Sequence, residues 1–217
     1  MGGKMNIQIP IETSARHVHI SKEDFEALYG KGAELTFVKE LSQPGQFLAK
    51  ERITVIGPRG SFIHVAILGP FRKETQVELS VTDARKIGIP SVIRQSGDID
   101  KTPGCVLVNG HNSLEIEKGV IVAKRHIHMT LSDAVKMNVT DNESVFVITQ
   151  SFERSLIFAD VVVRVSPQYR LAMHVDTDEA NAFASENNPS GIILPLFDGK
   201  TYSLQKWTEE LQSGINR

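Results

Sequence analysis

Short apolar runs rich in β-branched residues recur along the chain and are separated by Gly, Pro, Asn or Asp. Each run is about as long as a β-strand, and its boundaries are typical of turns. Pro58, Arg59 and Gly60 lie between two such runs and predict a hairpin connection. The pattern therefore predicts a chain built mainly from strands. The predicted strands cover residues 52–58, 62–70, 75–81, 105–110, 119–129, 144–150 and 160–166.

Helix signals are fewer and belong to short segments. Ser21 can cap a helix that has acidic residues in its first turn and ends near Gly30. Similar starts occur at residues 82–83, 132–133 and 177–178. Strands and long helices do not alternate regularly, which argues against a doubly wound sheet or a TIM barrel. We therefore expect a mainly β fold with short helices.

An internal repeat is indicated by two nearly identical phrases, "ARHVHIS" at residues 15–21 and "KRHIHMT" at residues 124–130. Each phrase is followed by strands, then by a strand that carries one more polar residue, and then by a capped short helix. That polar residue is Glu78 in the first half and His174 in the second. The common order predicts an internal duplication of the chain.

The linker between the two domains is expected near residues 95–104, which are rich in turn-forming residues. We therefore predict a first half over residues 1–97 and a second half over residues 98–185. Residues 186–217 form a C-terminal extension. Within the extension, apolar residues recur at steps of three or four and predict an amphipathic helix. These apolar residues are Leu204, Trp207, Leu211 and Ile215.

Paired histidines on a strand suggest a metal site in each half. Residues i and i+2 of a strand point to the same face, so each His-x-His presents two imidazoles side by side. A third ligand from another strand would complete the set of three protein ligands that is common at catalytic zinc sites. This N/O donor set favours Zn²⁺, with Co²⁺, Fe²⁺ and Mn²⁺ as alternatives. The predicted ligands are His17, His19 and Glu78 at one metal, and His126, His128 and His174 at the other.

A single histidine on a strand is more often a core or surface residue than a ligand, and we interpret His64 and His111 in that way. The duplication of the complete phrase is what favours ligands at the two pairs. Arg72 follows a Gly-Pro turn in the strand region of Glu78. Beside a metal it would form a bidentate clamp for phosphate or carboxylate, whereas alone it would be an ordinary surface charge.

Composition excludes several classes of protein. The 217 residues carry a formal net charge of −2, which gives no basic field for nucleic acid. Cys105 is the only cysteine, so an internal disulfide and a Cys-rich zinc site are excluded. We find no secretory signal and no apolar run of the roughly 20 residues that a membrane span requires. A cytoplasmic protein without nucleic-acid or membrane partners is expected.

Six motifs in this order resemble the phosphate propanoyltransferase family, the phosphotransacylases of the propanediol-utilisation type. The resemblance covers roughly residues 10–183. It implies two β-barrel domains related by duplication and an active site with two zinc ions. The motifs are "RHVHIS", "LSQPGQFLAKE", "LGPFRKETQVELS", "RQSGD", "AKRHIHM" and "MHVDTDEANA".

The resemblance also assigns site residues and an activity. It places the family's metal ligands on the six residues predicted above, and it matches Arg72 to an arginine that contacts phosphate. Gln76, Ser96 and Arg164 match polar positions that line the same site. The implied reaction converts a short-chain acyl-CoA, either propionyl-CoA or acetyl-CoA, and phosphate into acyl phosphate and CoA, in either direction.

The residues alone, without the resemblance, are also compatible with two other functions. One is a dinuclear metal-dependent hydrolase on a β-barrel, and the other is a non-catalytic metal-stabilised module, for example one associated with a shell. Members of the family that enter bacterial microcompartments often carry an amphipathic helix before the first barrel. Only 16 residues precede His17, and residues 5–12 alternate as a strand does. The C-terminal stripe is expected to pack on the barrel or on another subunit, as in a homo-oligomer, and the alternative is that it recruits shell or core proteins of a microcompartment.

Overall fold

The computed structural model of the protein describes residues 7–149, 154–183 and 188–194. The first elements, in chain order, are β1 (Ile9–Ser14), β2 (His17–His19), α1 (Lys22–Tyr29), β3 (Phe37–Glu40), β4 (Phe47–Gly57), β5 (Gly60–Gly69), β6 (Gln76–Glu78), α2 (Val81–Ile87), β7 (Ile93–Arg94), β8 (Cys105–Asn109), β9 (Asn112–Ile116) and β10 (Val120–Ala123). The remaining elements are β11 (His126–Met129), α3 (Leu131–Met137), β12 (Ser144–Thr149), β13 (Ile157–Val165), β14 (Ala172–Asp176), α4 (Thr177–Ala182) and β15 (Ser190–Ile193). The mainly β fold with short helices is therefore confirmed.

The chain divides into two compact units. The sheet unit is Ala15–Lys124, and the barrel unit consists of the described residues before Ala15 and after Lys124. This division differs from the expected boundary between residues 97 and 98. Residues 98–124 belong to the sheet unit because β8 pairs with β4 and β10 pairs with β6. Strand β1 belongs to the barrel unit because it pairs with β14.

In the sheet unit, the strands follow the order β7-β10-β6-β2-β5-β4-β8-β9, with β3 paired to β4. The two strands that carry the predicted ligands, β2 and β6, lie inside this sheet and are buried along their whole length. Helix α1 packs against β8 and β9, and its apolar face is buried through Phe25 and Leu28. This apolar face joins one continuous core with the inner side of the sheet.

In the barrel unit, six strands close in the order β1-β14-β11-β13-β12-β15. Strand β15 closes the ring because it pairs with β12 on one side and with β1 on the other. Gly191 is required at this closure. A Cβ atom on Gly191 would lie 2.6 Å from Cγ1 of Val147, closer than packed carbon atoms can approach. The barrel surrounds its own apolar core.

Strand pairing confirms the internal duplication. In the sheet unit, β2 is parallel to β5 and antiparallel to β6, and His17 lies opposite Glu78. In the barrel unit, β11 is parallel to β13 and antiparallel to β14, and His126 lies opposite His174. Each third strand then leads into a capped short helix, α2 or α4. The units differ in closure: among the described strands, those of the barrel unit form a closed ring and those of the sheet unit do not.

The two repeats also exchange their first strands. Strand β1 precedes the first His-x-His but pairs in parallel with β14 of the barrel unit. Strand β10 precedes the second His-x-His but pairs in parallel with β6 of the sheet unit. The predicted single strand over residues 119–129 is therefore split at residues 124–125, where the chain passes from one unit to the other.

The predicted C-terminal amphipathic helix, with Leu204, Trp207, Leu211 and Ile215, lies outside the described residues. In the part of the chain that is described, no helix has the length and apolar character needed to cross a membrane.

Candidate metal centres and family membership

His17, His19 and Glu78 converge within the sheet unit. Antiparallel pairing places His17 directly opposite Glu78 and His19 opposite Gln76, so all of these side chains point to one face. The donor atoms of His17, His19 and Glu78 lie within 4.8 Å of one another, and all three residues are buried. The predicted triplet is therefore assembled by two adjacent strands.

The separations between these donor atoms are those that one small cation needs. Nε2 of His17 lies 3.1 Å from Nε2 of His19. Nε2 of His17 lies 3.5 Å from Oε2 of Glu78, and Nε2 of His19 lies 3.7 Å from Oε1 of Glu78. Donor atoms bound to zinc at 2.0–2.1 Å in a tetrahedron are about 3.4 Å apart. The group therefore fits a single divalent ion.

The proton position on His17 is set by its other ring nitrogen. Nδ1 of His17 lies 2.8 Å from the carbonyl oxygen of Ala15. A carbonyl oxygen can only accept, so this contact requires the proton on Nδ1 and leaves the lone pair on Nε2. A second hydrogen bond to a metal-binding histidine commonly orients the ring in this way.

Glu78 is held by two of the polar residues expected at the site. Its Oε1 accepts hydrogen bonds from Nε2 of Gln76 at 2.7 Å and from the hydroxyl of Ser96 at 2.8 Å. The Ser96 hydroxyl in turn accepts a hydrogen bond from Nη1 of Arg72 at 3.0 Å. The backbone N–H of Gly97 donates to Oε1 of Gln76 at 2.7 Å and fixes the amide orientation. This network holds the carboxylate in a single position.

The electrostatics keep these groups in their metal-binding forms. Burial of Glu78 opposes ionisation of its carboxyl. The neighbouring imidazoles, the hydroxyl of Ser96 and the guanidinium of Arg72 act in the other direction and lower the pKa of Glu78 to about 2. Burial, reinforced by His17, lowers the pKa of His19 well below its usual value. An anionic carboxylate and a neutral imidazole are the forms that bind divalent cations.

A cavity of about 230 Å³ adjoins this group within the sheet unit. His19 forms part of its wall, and Arg72 presents a positive charge to it. The rest of the wall comes from the turn of residues 44–46 and from Gly69 and Pro70. The turn lies in the Gly/Pro-rich loop of residues 40–47, whose sequence alone says nothing about chemistry. A small anionic ligand could enter this cavity and approach the His17–His19–Glu78 group.

The barrel unit assembles the second predicted triplet in the same register. The donor atoms of His126, His128 and His174 lie within 4.8 Å of one another. The ring centroids of His126 and His128 are 4.6 Å apart, and both lie about 5 Å from His174, at 5.2 Å and 5.0 Å. No described residue makes a hydrogen bond with the buried Nδ1 atom of His128. A buried polar nitrogen without a partner is costly, and a metal ion would satisfy it.

Arg164 lies on β13 directly beside His128. Burial, the two neighbouring histidines and the charge of Arg164 lower the pKa of His128 to about 2, so this ring stays neutral. Arg164 therefore belongs to the barrel unit, whereas Arg72, Gln76 and Ser96 belong to the sheet unit. Each polar residue expected at the active site lies next to one of the two histidine groups.

Two further residues of the barrel unit adjoin the three-histidine group and were not predicted from the sequence. The ring of Tyr169 packs on His128 with centroids 4.2 Å apart. Oε2 of Glu12 lies 3.7 Å from Nδ1 of His174. Tyr169 is in a loop without a recognisable motif. Glu12 reaches the site only through the parallel pairing of β1 with β14, which no local pattern reveals.

Comparisons with known proteins agree with this geometry. The family model described as phosphate propanoyltransferase matches residues 10–186. A phosphate propanoyltransferase of Leptotrichia buccalis is 53% identical over 193 residues, which are 89% of this chain and 91% of the relative. One from Thermotoga maritima is 54% identical over 174 residues, 80% of this chain and 83% of the relative. One from Enterococcus faecalis is 52% identical over 184 residues, 85% of this chain and 87% of the relative.

These relatives share one name, that of an acyltransferase, and this agreement does not favour the metal-dependent hydrolase. The matched region contains both histidine groups and all four polar residues discussed above. The chain therefore belongs to the phosphate propanoyltransferase family and is an acyltransferase.

Proposed function

We propose that this protein interconverts a short-chain acyl-CoA and phosphate with acyl phosphate and CoA, and that it uses two divalent metal ions. Propionyl and acetyl groups are the proposed acyl groups. The observation that carries the proposal is the convergence of His17, His19 and Glu78 beside a cavity that Arg72 also lines. The name shared by the curated relatives supports the same reaction.

In the direction of acyl phosphate formation, a phosphate oxygen attacks the thioester carbonyl carbon. A C–O bond forms, the C–S bond breaks, and CoA leaves as a thiolate that then takes up a proton. The two requirements are a positioned phosphate and a stabilised leaving group. When bound, a divalent metal would supply Lewis-acid stabilisation of negative charge, with Zn²⁺ favoured by the N/O donors.

Residues of the sheet unit would hold the first ion and orient the substrates. His17, His19 and Glu78 would be the ligands. Arg72 would bind phosphate oxygens, since a guanidinium forms paired, charge-assisted hydrogen bonds with them. Ser96 holds Nη1 of Arg72 at 3.0 Å and so limits the directions in which the guanidinium can point. A donor fixed in advance stabilises developing charge without a cost of reorganisation during the reaction.

Residues of the barrel unit would hold the second ion. His126, His128 and His174 would be its ligands, and Arg164 beside His128 would add positive charge for an anionic substrate. Positioning of both substrates could account for the rate without a covalent acyl-enzyme. The sequence indicates no reactive cysteine or Ser-His-Asp arrangement, and Cys105 is buried.

The proposal is tested by release of CoA from propionyl-CoA and acetyl-CoA, measured with a thiol reagent and zinc-loaded protein. Release that requires phosphate, together with formation of a hydroxylamine-reactive acyl phosphate, is the expected result. Equal release without phosphate would instead indicate hydrolysis. No release under either condition would indicate a non-catalytic module and would overturn the proposal.

A further inference from the structure

We propose that Glu12 is a positioning residue for the three-histidine group and orients His174 toward the ion that this group binds. The inference rests on the proposed function, because it concerns the second metal ion. It concerns a residue of β1, which precedes the first histidine phrase by sequence but belongs to the barrel unit.

The position of Glu12 follows from the strand register. Strand β1 pairs in parallel with β14, and Glu12 lies beside His174 in that ladder. Paired residues on adjacent strands project to the same face of a sheet. Accordingly, Oε2 of Glu12 lies 3.7 Å from Nδ1 of His174. At this distance the two groups are within ion-pair range, whereas a hydrogen bond between them requires a closer approach.

Comparison of the two units explains why the barrel unit needs a residue in this place. In the sheet unit, the third ligand Glu78 is held by Gln76 and Ser96. The position equivalent to Gln76 in the barrel unit is Ala172, which has no polar group to offer. The position equivalent to Glu12 in the sheet unit is Ile121, beside Glu78. In the sheet unit the third ligand is thus supported by Gln76 and Ser96. In the barrel unit the corresponding support comes from Glu12 on the exchanged strand β1.

A carboxylate beside one ring nitrogen determines what the other nitrogen can do. The Glu12 carboxylate favours the proton on Nδ1 of His174 and directs the lone pair to Nε2, on the far side of the ring. A divalent ion with three neutral histidines carries two positive charges, and Glu12 would reduce the charge of the group to one. The His17–His19–Glu78 group has the same total, since Glu78 is anionic.

Glu12 acts through His174 and not as a ligand. The convergent donor atoms of the barrel unit come from the three histidines. Glu12 flanks this group from β1, and its side chain is 36% exposed, whereas that of His174 is 17% exposed. An outer carboxylate of this kind typically changes metal affinity by about 10- to 100-fold.

The test is a metal titration of chelator-stripped protein with Zn²⁺ against a competing indicator, and with Co²⁺ followed by visible absorption. The variants are Glu12→Ala and the isosteric Glu12→Gln. The control is Glu115→Ala, which removes an exposed glutamate from β9 of the sheet unit. Each variant is also combined with Glu78→Gln, so that only the three-histidine group can bind an ion. Long-range ¹⁵N–¹H spectra of the chelator-stripped full chain report which His174 nitrogen is protonated before an ion binds.

We expect wild type and Glu115→Ala to bind two ions, and Glu12→Ala to weaken one of them by about 10- to 100-fold. In the Glu78→Gln background the remaining ion should be the weakened one. Glu12→Gln should fall between, because its amide oxygen accepts a hydrogen bond but carries no charge. In the metal-free chain the spectra should show His174 protonated on Nδ1 in wild type, and Glu12→Ala should shift the proton toward Nε2. Wild-type affinity and an unchanged His174 tautomer in Glu12→Ala would overturn the inference and leave the proposed function intact. A wild-type chain that binds no zinc would instead overturn the two-metal proposal itself.

Discussion

Arg16 forms a bidentate ion pair with Asp83, in which Nε and Nη2 each lie 2.8 Å from a different carboxylate oxygen. The barrel unit has a corresponding ion pair, in which Nη1 of Arg125 lies 2.8 Å from the Glu179 carboxylate. Each arginine directly precedes a His-x-His pair, and each acid lies on the short helix after the third strand. The repeated arginine thus links the histidine strand to that helix in both units.

Loss of Arg16 should destabilise the protein more than loss of an ordinary surface arginine. Asp83 is buried, and Arg16→Ala would leave its carboxylate without a partner. We expect a decrease of about 1–3 kcal/mol in the free energy of unfolding, typical of a hydrogen bond to a charged group. Denaturant unfolding measures the change. Arg85→Ala, on the exposed face of the same helix, is the control and should cost less than about 0.5 kcal/mol.

The double variant Arg16→Ala with Asp83→Ala separates the ion pair from the effects of the single side chains. Because neither charge is then left alone, it should be less destabilised than the sum of the two single variants. Strict additivity would show that Arg16 acts mainly through its packing over the ring of Phe62, whose centroid lies 4.3 Å away.

The convergence of the two candidate ligand groups could be predicted from the sequence because it depends on short-range geometry. His17 and His19 face the same way on any strand, and the repeat identified Glu78 and His174 as their partners. The mainly β fold followed from turn residues and β-branched runs. In each of these cases, local preference and tertiary structure agree.

The strand exchange and Glu12 could not be read in this way. Residues 119–129 form one apolar run, and nothing within the run marks the point at which the chain changes unit. The pairing of Glu12 with His174 depends on long-range register, which is set by packing of the whole barrel. The division into units differs from the expected boundary at residue 97 for the same reason, since turn composition marks a loop and not the unit to which the next strand belongs.

Glu78→Gln should remove one metal ion from the protein. The amide keeps the shape of the side chain but loses the negative charge that the site maintains, given a pKa of about 2 for Glu78. We expect the protein to bind one zinc ion in place of two. The affinity of the altered site for zinc should fall by more than the roughly 100-fold that is typical when a residue supporting a ligand is removed. Elemental analysis after dialysis provides the measurement. Glu74→Gln, an exposed glutamate four residues earlier, should retain both ions; a Glu78→Gln protein that also retained both would exclude Glu78 as a ligand.

Cys105 should not react in the native protein. Burial raises the pKa of its thiol to about 12, so only about one thiol in 10⁴ is ionised at pH 8. We expect reaction with an aromatic disulfide reagent to be more than about 10³-fold slower than for an exposed thiol, and complete after denaturation. Rapid native reaction would contradict the burial of Cys105. A slow reaction also means that thiol reagents report released CoA without a background from the protein.

Arg72→Ala should affect phosphate more than acyl-CoA. If Arg72 binds phosphate oxygens, its loss removes a charge-assisted contact of about 1.5–3 kcal/mol, or about 10- to 150-fold in the KM for phosphate. The KM for acyl-CoA should change only a few-fold. Lys73→Ala removes the neighbouring, exposed positive charge and serves as the control for a general electrostatic effect. Steady-state kinetics with each substrate varied in turn distinguish the two cases. Equal increases in both KM values for Arg72→Ala, or the same increase for Lys73→Ala, would assign Arg72 a structural role at Ser96 and Glu78 in place of substrate binding.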